Sequence, residues 1–234
     1  MPFEHRRIGR GLRPQWPIAV VLILCLAAGL QARTYKPGSL KARWPVKTTL
    51  ASGTSVTHPR EVLLSDLIAL PDAPGVAAQD ARYTSTRIPE AVDGLHEGDL
   101  VRTEGWVHVI AEDDDGDYHI QVTNSRTSGN RCFIVELPKD QSAFEKNAAQ
   151  RARCAKLRPF LRTSLLHDAG REPSKGGNWM VGECYMSITG QLFFDDWHVG
   201  GEARGVQPGG HKGKAATLWE LHPVTSIAFA APPH

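Results

Sequence analysis

Cysteine, aromatic rings and net charge are all scarce in this 234-residue chain, and each scarcity excludes something. The four cysteines form no CxxC and no Cys/His spacing of the zinc-finger kind, so a structural thiolate zinc site is excluded. A formal charge of +2 sets up no global field to gather polyanions, so any nucleic-acid binding must come from a local patch. There is no Gly-x-Ser-x-Gly and no papain-like cysteine context. "GVQPGGHKGKA" fails as a phosphate-binding loop, because Pro208 stands at the first glycine position and Ala215 at the Ser/Thr position. "EDDDGD" fails as a calcium loop, because Gly116 as sixth residue puts Ala111 first.

A long hydrophobic run is also missing. Ile18 to Leu30 is apolar, but a membrane span needs about 20 residues. Arg6, Arg7, Arg10 and Arg13 precede the run, and Ala27, Ala28, Gly29 and Ala32 close it. Residues 1–32 therefore read as a signal peptide, with an uncleaved anchor left open because Leu30 is a poor residue before a cleavage site. The expected location is exported, periplasmic or extracellular, with membrane contact only through that anchor. In an oxidising compartment Cys132 with Cys154 is the preferred disulfide.

Residues 33–85 are rich in Pro, Ser, Thr, Ala and Gly and read as an extended, partly disordered arm, with one helical turn within Val62 to Leu70. The domain proper is expected over 86–234. "DLVRTEGWVHVIAE" alternates as a long strand with Gly105 at its centre, where a coiled strand would bend. Asp115-Gly116 signals a hairpin into "DYHIQVTN", and "RCFIVELP" is a third strand. Ser142 and Glu145 form a capping box for a helix with Phe144, Ala148, Ala152 and either Ala155 or Leu157 on one face, which Pro159 should end or kink. "WMVGECYMSITGQLFF" and "LWELHPVTSIAF" supply the last two strands. A mainly β chain with one main helix between strands three and four is the order of a five-stranded OB-fold barrel.

"VRTEGWVHVI" resembles the first strand of anticodon-binding OB domains of aminoacyl-tRNA synthetases, a likeness of fold that carries over no functional residue. "DGDYHIQV", "FIVELP", "ITGQLFFDDWH" and "WELHPV" together resemble a group of uncharacterised bacterial exported proteins with DGDxH, FFDxxH and ELHPV motifs. That resemblance implies Asp117, His119, Asp195, His198, Glu220 and His222 as shared residues and implies no activity. The Asp115-Gly116-Asp117 turn also resembles that of the staphylococcal-type nucleases, but Tyr118 stands where their threonine would.

Strand alternation puts Asp117, His119 and Gln121 on one face, and Glu220 with His222 on one face of the last strand. If these faces converge, His119, His198 and His222, with Asp117 nearby, would make a divalent-metal site of the zinc type. Asp195 or Glu220 would then be free as general base of a hydrolase or phosphodiesterase. The competing reading is a set of hydrogen bonds that fix loops and sheet ends. Residues 141–175 hold eight basic and three acidic side chains. Arg151, Arg153, Lys156 and Arg158, with Trp106 and Tyr118, are the candidate surface for single-stranded nucleic acid or another protein. Glu112 to Gly116 reads as a solvated hairpin tip.

Overall fold

A computed structural model describes residues 43–233 apart from 142, 144, 181–183, 202–203 and 212. The signal segment, the first ten arm residues, Ser142 and Phe144 lie outside the described residues. No helix among the described residues is long and apolar enough to cross a membrane.

The described residues are mainly β, with seven strands and three α-helices among them in the order α1 (Trp44–Thr48), β1 (Arg60–Glu61), α2 (Leu64–Ala69), β2 (Leu100–Glu112), β3 (Tyr118–Thr123), β4 (Arg131–Leu137), α3 (Ala148–Leu166), β5 (Asn178–Trp179), β6 (Tyr185–Phe194) and β7 (Lys214–Phe229). β2, β3 and β4 pair antiparallel in succession, β4 pairs parallel with β7, and β7 pairs antiparallel with β6. β6 also pairs with β2, so the five long strands form a circuit of pairings.

β2 serves two partners because it bends. Leu100 to Trp106 face β6, whereas Trp106 to Glu112 face β3. Gly105 sits at the pivot, where a Cβ would come 2.4 Å from Leu64 Cδ2 and 2.7 Å from Val122 Cγ1. Only glycine permits that approach. The hairpin after β2 turns at Gly116, whose φ of 84° suits glycine and whose N–H donates to Asp113 O.

Alternation sorts the strands into two buried faces. Tyr118, Ile120 and Val122 of β3, Phe133, Val135 and Leu137 of β4, Trp219 and Leu221 of β7, and Leu192 and Phe194 of β6 belong to the apolar core. Their neighbours Asp117, His119, Gln121, Glu136, Glu220 and His222 occupy the opposite face, yet are also buried. The arm and the segment after β6 cover that second face.

The arm from residue 43 onward is therefore part of the fold. Trp44, Val46, Leu64, Leu67, Leu70 and Tyr83 are buried, and α2 packs its leucines on the core. Each such leucine contributes roughly 1.5–3 kcal/mol. The composition of 33–85 reads as loop, but these scattered apolar residues find sites in the fold, whereas Leu63 beside them stays exposed.

Two further expectations need correcting. Cys132 and Cys154 are buried, unbridged thiols. Cys154 looks into the core from α3, while Cys132 lies on β4 on the face opposite Phe133, so the wall of the sheet separates them. Second, α3 begins after Asn147, whose side chain accepts from Gln150 N at 3.0 Å. It runs through Pro159 to Leu166, and its buried face is Gln150, Cys154, Arg158, Leu161 and Leu165, not the exposed alanines. β7 continues past Pro223 to Phe229, as the last-strand pattern expects, with a shifted register to β6.

Candidate functional site

The second buried face carries an ionic cluster assembled from four parts of the chain. β3 supplies His119, and the turn before it Asp113, Asp115 and Asp117. β4 places Glu136 directly opposite His119 in register. β7 supplies Glu220 and His222. α1 inserts Lys47, and the segment after β6 brings Asp195, His198 and Arg204. Above them is a cleft of about 480 Å³ lined by Lys47, Asp113, Asp115, His119, Glu136, Asp195, His198 and Arg204, with Trp44, Phe193 and Trp197 as apolar walls.

Glu136 is the hub. Its Oε1 accepts from His119 Nδ1 at 3.1 Å, and its Oε2 lies 2.8 Å from Lys47 Nζ. Burial opposes its ionisation, but Lys47, the His119 hydrogen bond and His222 outweigh that and hold it well below the usual carboxylate range. Burial likewise disfavours the charges of Lys47 and His119. The carboxylates around them prevail, and both are raised.

The His222 ring is completely buried. Its Nδ1 donates to Lys47 O at 2.6 Å, and its Nε2 is 3.0 Å from Asp117 Oδ2. Burial, with the Lys47 charge, lowers His222. Burial, with Asp115 and Glu136, raises Asp117 well above its ordinary value. Burial is the largest influence on both partners and disfavours the charged form of each. Beside this pair Glu220 is pushed up to about 7 by burial and the Glu136 charge, and Asp113 up to about 6 by desolvation in the cleft.

A second knot lies at the cleft's other wall. Arg204 Nη1 is 2.7 Å from Asp195 Oδ2 and 2.5 Å from Glu220 Oε2, and His198 Nδ1 is 2.5 Å from Asp195 Oδ2. Burial would raise Asp195, but Arg204 and His198 hold it below its ordinary value.

The three histidines do not share a site. Among the described residues two groups of donors lie within 4.8 Å of one another, Asp113–His119–Glu136 and Asp117–Glu136–His222, and neither contains two histidines. His198 belongs instead to Asp195, and Asp195 and Glu220 are both tied to Arg204. The three-histidine zinc centre is not the arrangement present. His119 and His222 do approach one intermediary, Glu136, because β4 lies between β3 and β7.

The hairpin tip is not merely solvated, since Asp115 is buried and its Oδ2 lies 3.6 Å from Lys47 Nζ. The candidate basic and aromatic surface is largely consumed internally. Arg158 is buried over the Tyr118 ring at 3.5 Å and donates to Gly116 O at 3.0 Å. The buried Tyr118 ring belongs to the core, with its hydroxyl donating to Glu172. Trp106 is buried edge-on to Tyr185. Arg151 donates to the carbonyls of Glu145 and Lys146, and Arg153 to Gln150. Lys156 is exposed.

Sequence reasoning missed Lys47, Asp113, Glu136 and Arg204. Glu136 left a signal, as a carboxylate inside the apolar strand "FIVELP". Lys47 and Arg204 left none, because they come from segments without periodicity.

No protein-family model matches the chain, and no curated protein matches it. Among solved structures it is similar to the asparaginyl-tRNA synthetase of Entamoeba histolytica, at 16% identity and a TM-score of 0.29. That match covers 61% of this chain and 22% of the synthetase chain.

Proposed function

We propose that the chain is an exported OB-type β-barrel module whose outer cleft binds a divalent cation. The barrel reading is supported by the circuit of five pairings, the parallel β4–β7 pair and a helix between β4 and β6 in chain order. The basic segment and apolar run at the N-terminus support export, and the DGDxH, FFDxxH and ELHPV motifs support membership of the exported group they resemble.

One observation carries the cation. The donors of Asp113, His119 and Glu136 lie within 4.8 Å of one another on the cleft wall, a separation that one ion bound to all three can span. The charge around them agrees with it. Among the described residues the cleft is lined by six carboxylates (Glu112, Asp113, Asp114, Asp115, Glu136, Asp195) and three side-chain cations (Lys47, Lys175, Arg204). That surplus disfavours an oligonucleotide as the ligand. One imidazole with two carboxylates suits manganese or zinc, and His119 must give up its Nδ1 proton on binding.

Untagged full-length protein should carry or take up one Mn²⁺ per chain, measured by elemental analysis and calorimetric titration. Asp113→Asn and His119→Ala should each weaken uptake by at least about tenfold. Uptake that is absent, or indifferent to both substitutions, overturns the reading.

A metal-dependent hydrolase is the second reading, and the Asp195–His198 pair on the cleft wall favours it. An imidazole held through Nδ1 by a carboxylate is a common arrangement for a general base. Mn²⁺-dependent cleavage of a bis(nitrophenyl) phosphate that His198→Ala abolishes would support it, and inert wild-type protein would sink it.

A further inference from the structure

The two donor triads share Glu136, and they divide its two oxygens between them. Oε1 faces the cleft. It lies 3.1 Å from His119 Nδ1, and Asp113 Oδ2 is 3.7 Å from the same nitrogen. Oε2 faces inward and lies 3.6 Å from His222 Nε2, which is itself 3.0 Å from Asp117 Oδ2. Such a carboxylate has one cation position on each side, as bridging carboxylates do.

The inner position already holds a positive charge. Lys47 Nζ is 2.8 Å from Glu136 Oε2, 3.6 Å from Asp115 Oδ2 and 3.9 Å from Asp117 Oδ2. The ammonium is placed there by the fold. His222 Nδ1 holds the Lys47 carbonyl at 2.6 Å, and Arg43, just before α1, is locked into the protein by its pairing with Glu97. We propose that the Lys47 ammonium fills the inner of two adjacent cation positions bridged by Glu136, so that removing the amine lets the chain take one more divalent ion there.

Charge and donor chemistry both point this way. Three carboxyl groups and an imidazole surround one monovalent cation. His222 Nδ1 is occupied by the Lys47 carbonyl, so Nε2, 3.0 Å from Asp117 Oδ2 and 3.6 Å from Glu136 Oε2, is the ring nitrogen that can turn its lone pair to a cation. Without Lys47 the donors are Asp117, Glu136, His222 and the nearby Asp115, a mixed oxygen and nitrogen set of the kind that holds Mn²⁺ or Zn²⁺. With Lys47 present, a second ion would have to displace an ammonium fixed at its backbone. The lysine also orients the bridge, keeping Oε2 inward so that Oε1 faces the cleft.

The inference rests on the cation reading of the same cleft, and one titration separates the two. Full-length wild type, Lys47→Ala, Lys47→Arg and the double variant Lys47→Ala/His222→Ala are titrated with Mn²⁺ and followed by electron paramagnetic resonance and thermal melting. Lys47→Ala should bind one more ion per chain than wild type. Its signal should show spin coupling, because both ions touch Glu136, and its melting point should rise with Mn²⁺ more than that of wild type. Lys47→Arg and the double variant should return to the wild-type count. A folded Lys47→Ala protein with the wild-type count overturns the proposal. So does an unfolded one that Mn²⁺ fails to refold. A wild type that binds none, beside a Lys47→Ala variant that binds one, would sink the outer site while upholding the inner position.

Discussion

Arg43 and Lys47 stand four residues apart at the start of the described chain and both enter carboxylates, but the two sites differ in kind. Arg43 is sealed. Its guanidinium makes five hydrogen bonds, two to Glu97 at 2.9 and 2.6 Å and three to the carbonyls of Tyr83, Thr86 and Phe194. Glu97 also accepts from the N–H groups of Ile88 and Phe194. Every donor of the arginine is used, both side chains are fully buried, and neither belongs to the cleft lining. Lys47 meets one carboxylate closely and two more at a distance, in a cleft with a surplus of negative charge. The carboxyl groups around it are split, with Glu136 held low and Asp113, Asp117 and Glu220 pushed up. A closed charge pair fixes structure. An unbalanced one with perturbed carboxyls in a cleft is the pattern of a ligand site.

The contrast is broken most forcefully at the sealed pair. Arg43→Ala strands Glu97 as a buried, unpaired charge, and breaking such a pair costs about 3–5 kcal/mol. The urea midpoint should fall accordingly, and saturating Mn²⁺ should raise wild type and variant by the same amount, leaving the gap between them unchanged. A gap that closes on adding Mn²⁺ would erase the distinction, because the Arg43–Glu97 pair lies outside the cleft lining.

A smaller effect should appear at the rim of the unbalanced cluster, in Glu145. This residue is buried, its Oε1 accepts from Asn147 N at 2.6 Å, and its Oε2 has no hydrogen-bond partner among the described residues. Burial pushes its carboxyl up to about 7 from an ordinary 4.5. The folded protein therefore binds this proton more tightly than the unfolded chain does. Its contribution to stability is complete below pH 4.5 and is lost as the pH rises through about 7. Glu145→Gln should remove that slope, a difference on the order of 1–2 kcal/mol between the ends of the window. Urea denaturation of both proteins at pH 4.5 and 7.5 measures it, and parallel pH profiles would refute the assignment.

The same contrast explains what could be read from the sequence. Period-2 alternation announced β2, β3 and β4 and put Asp117 with His119, and Glu220 with His222, on shared faces. It could not say which strand lies between β3 and β7. Glu136 on β4 is therefore the residue that turns two faces into one site, and it went unnoticed. Arg43, Lys47 and Arg204 come from Pro- and Gly-rich segments whose path depends on tertiary packing, and no local pattern marks an arginine that will be buried. The alanines of α3 misled for a related reason. The helix buries the ring-stacked Arg158 and the amide of Gln150 beside its leucines, so hydrophobicity alone pointed to the wrong face. The disulfide expectation failed because cysteine arithmetic ignores which side of a strand each thiol occupies.

The mildest test contrasts residues along α3. Arg158 is buried, packs on the Tyr118 ring and donates to the hairpin carbonyl of Gly116. Its removal leaves that carbonyl unpaired, so Arg158→Ala should cost about 1–3 kcal/mol. Lys156, two residues earlier, is exposed, and Lys156→Ala should change stability by no more than about 0.5 kcal/mol. Arg151 and Arg153 bond only to groups near the start of their own helix, so the triple variant Arg151→Ala/Arg153→Ala/Lys156→Ala should fold normally. Retention on immobilised single-stranded DNA should be weak at 150 mM salt and unaltered by the triple change. Strong retention that the triple variant abolishes would restore the basic helix as a binding surface and move the functional centre away from the Lys47 cleft.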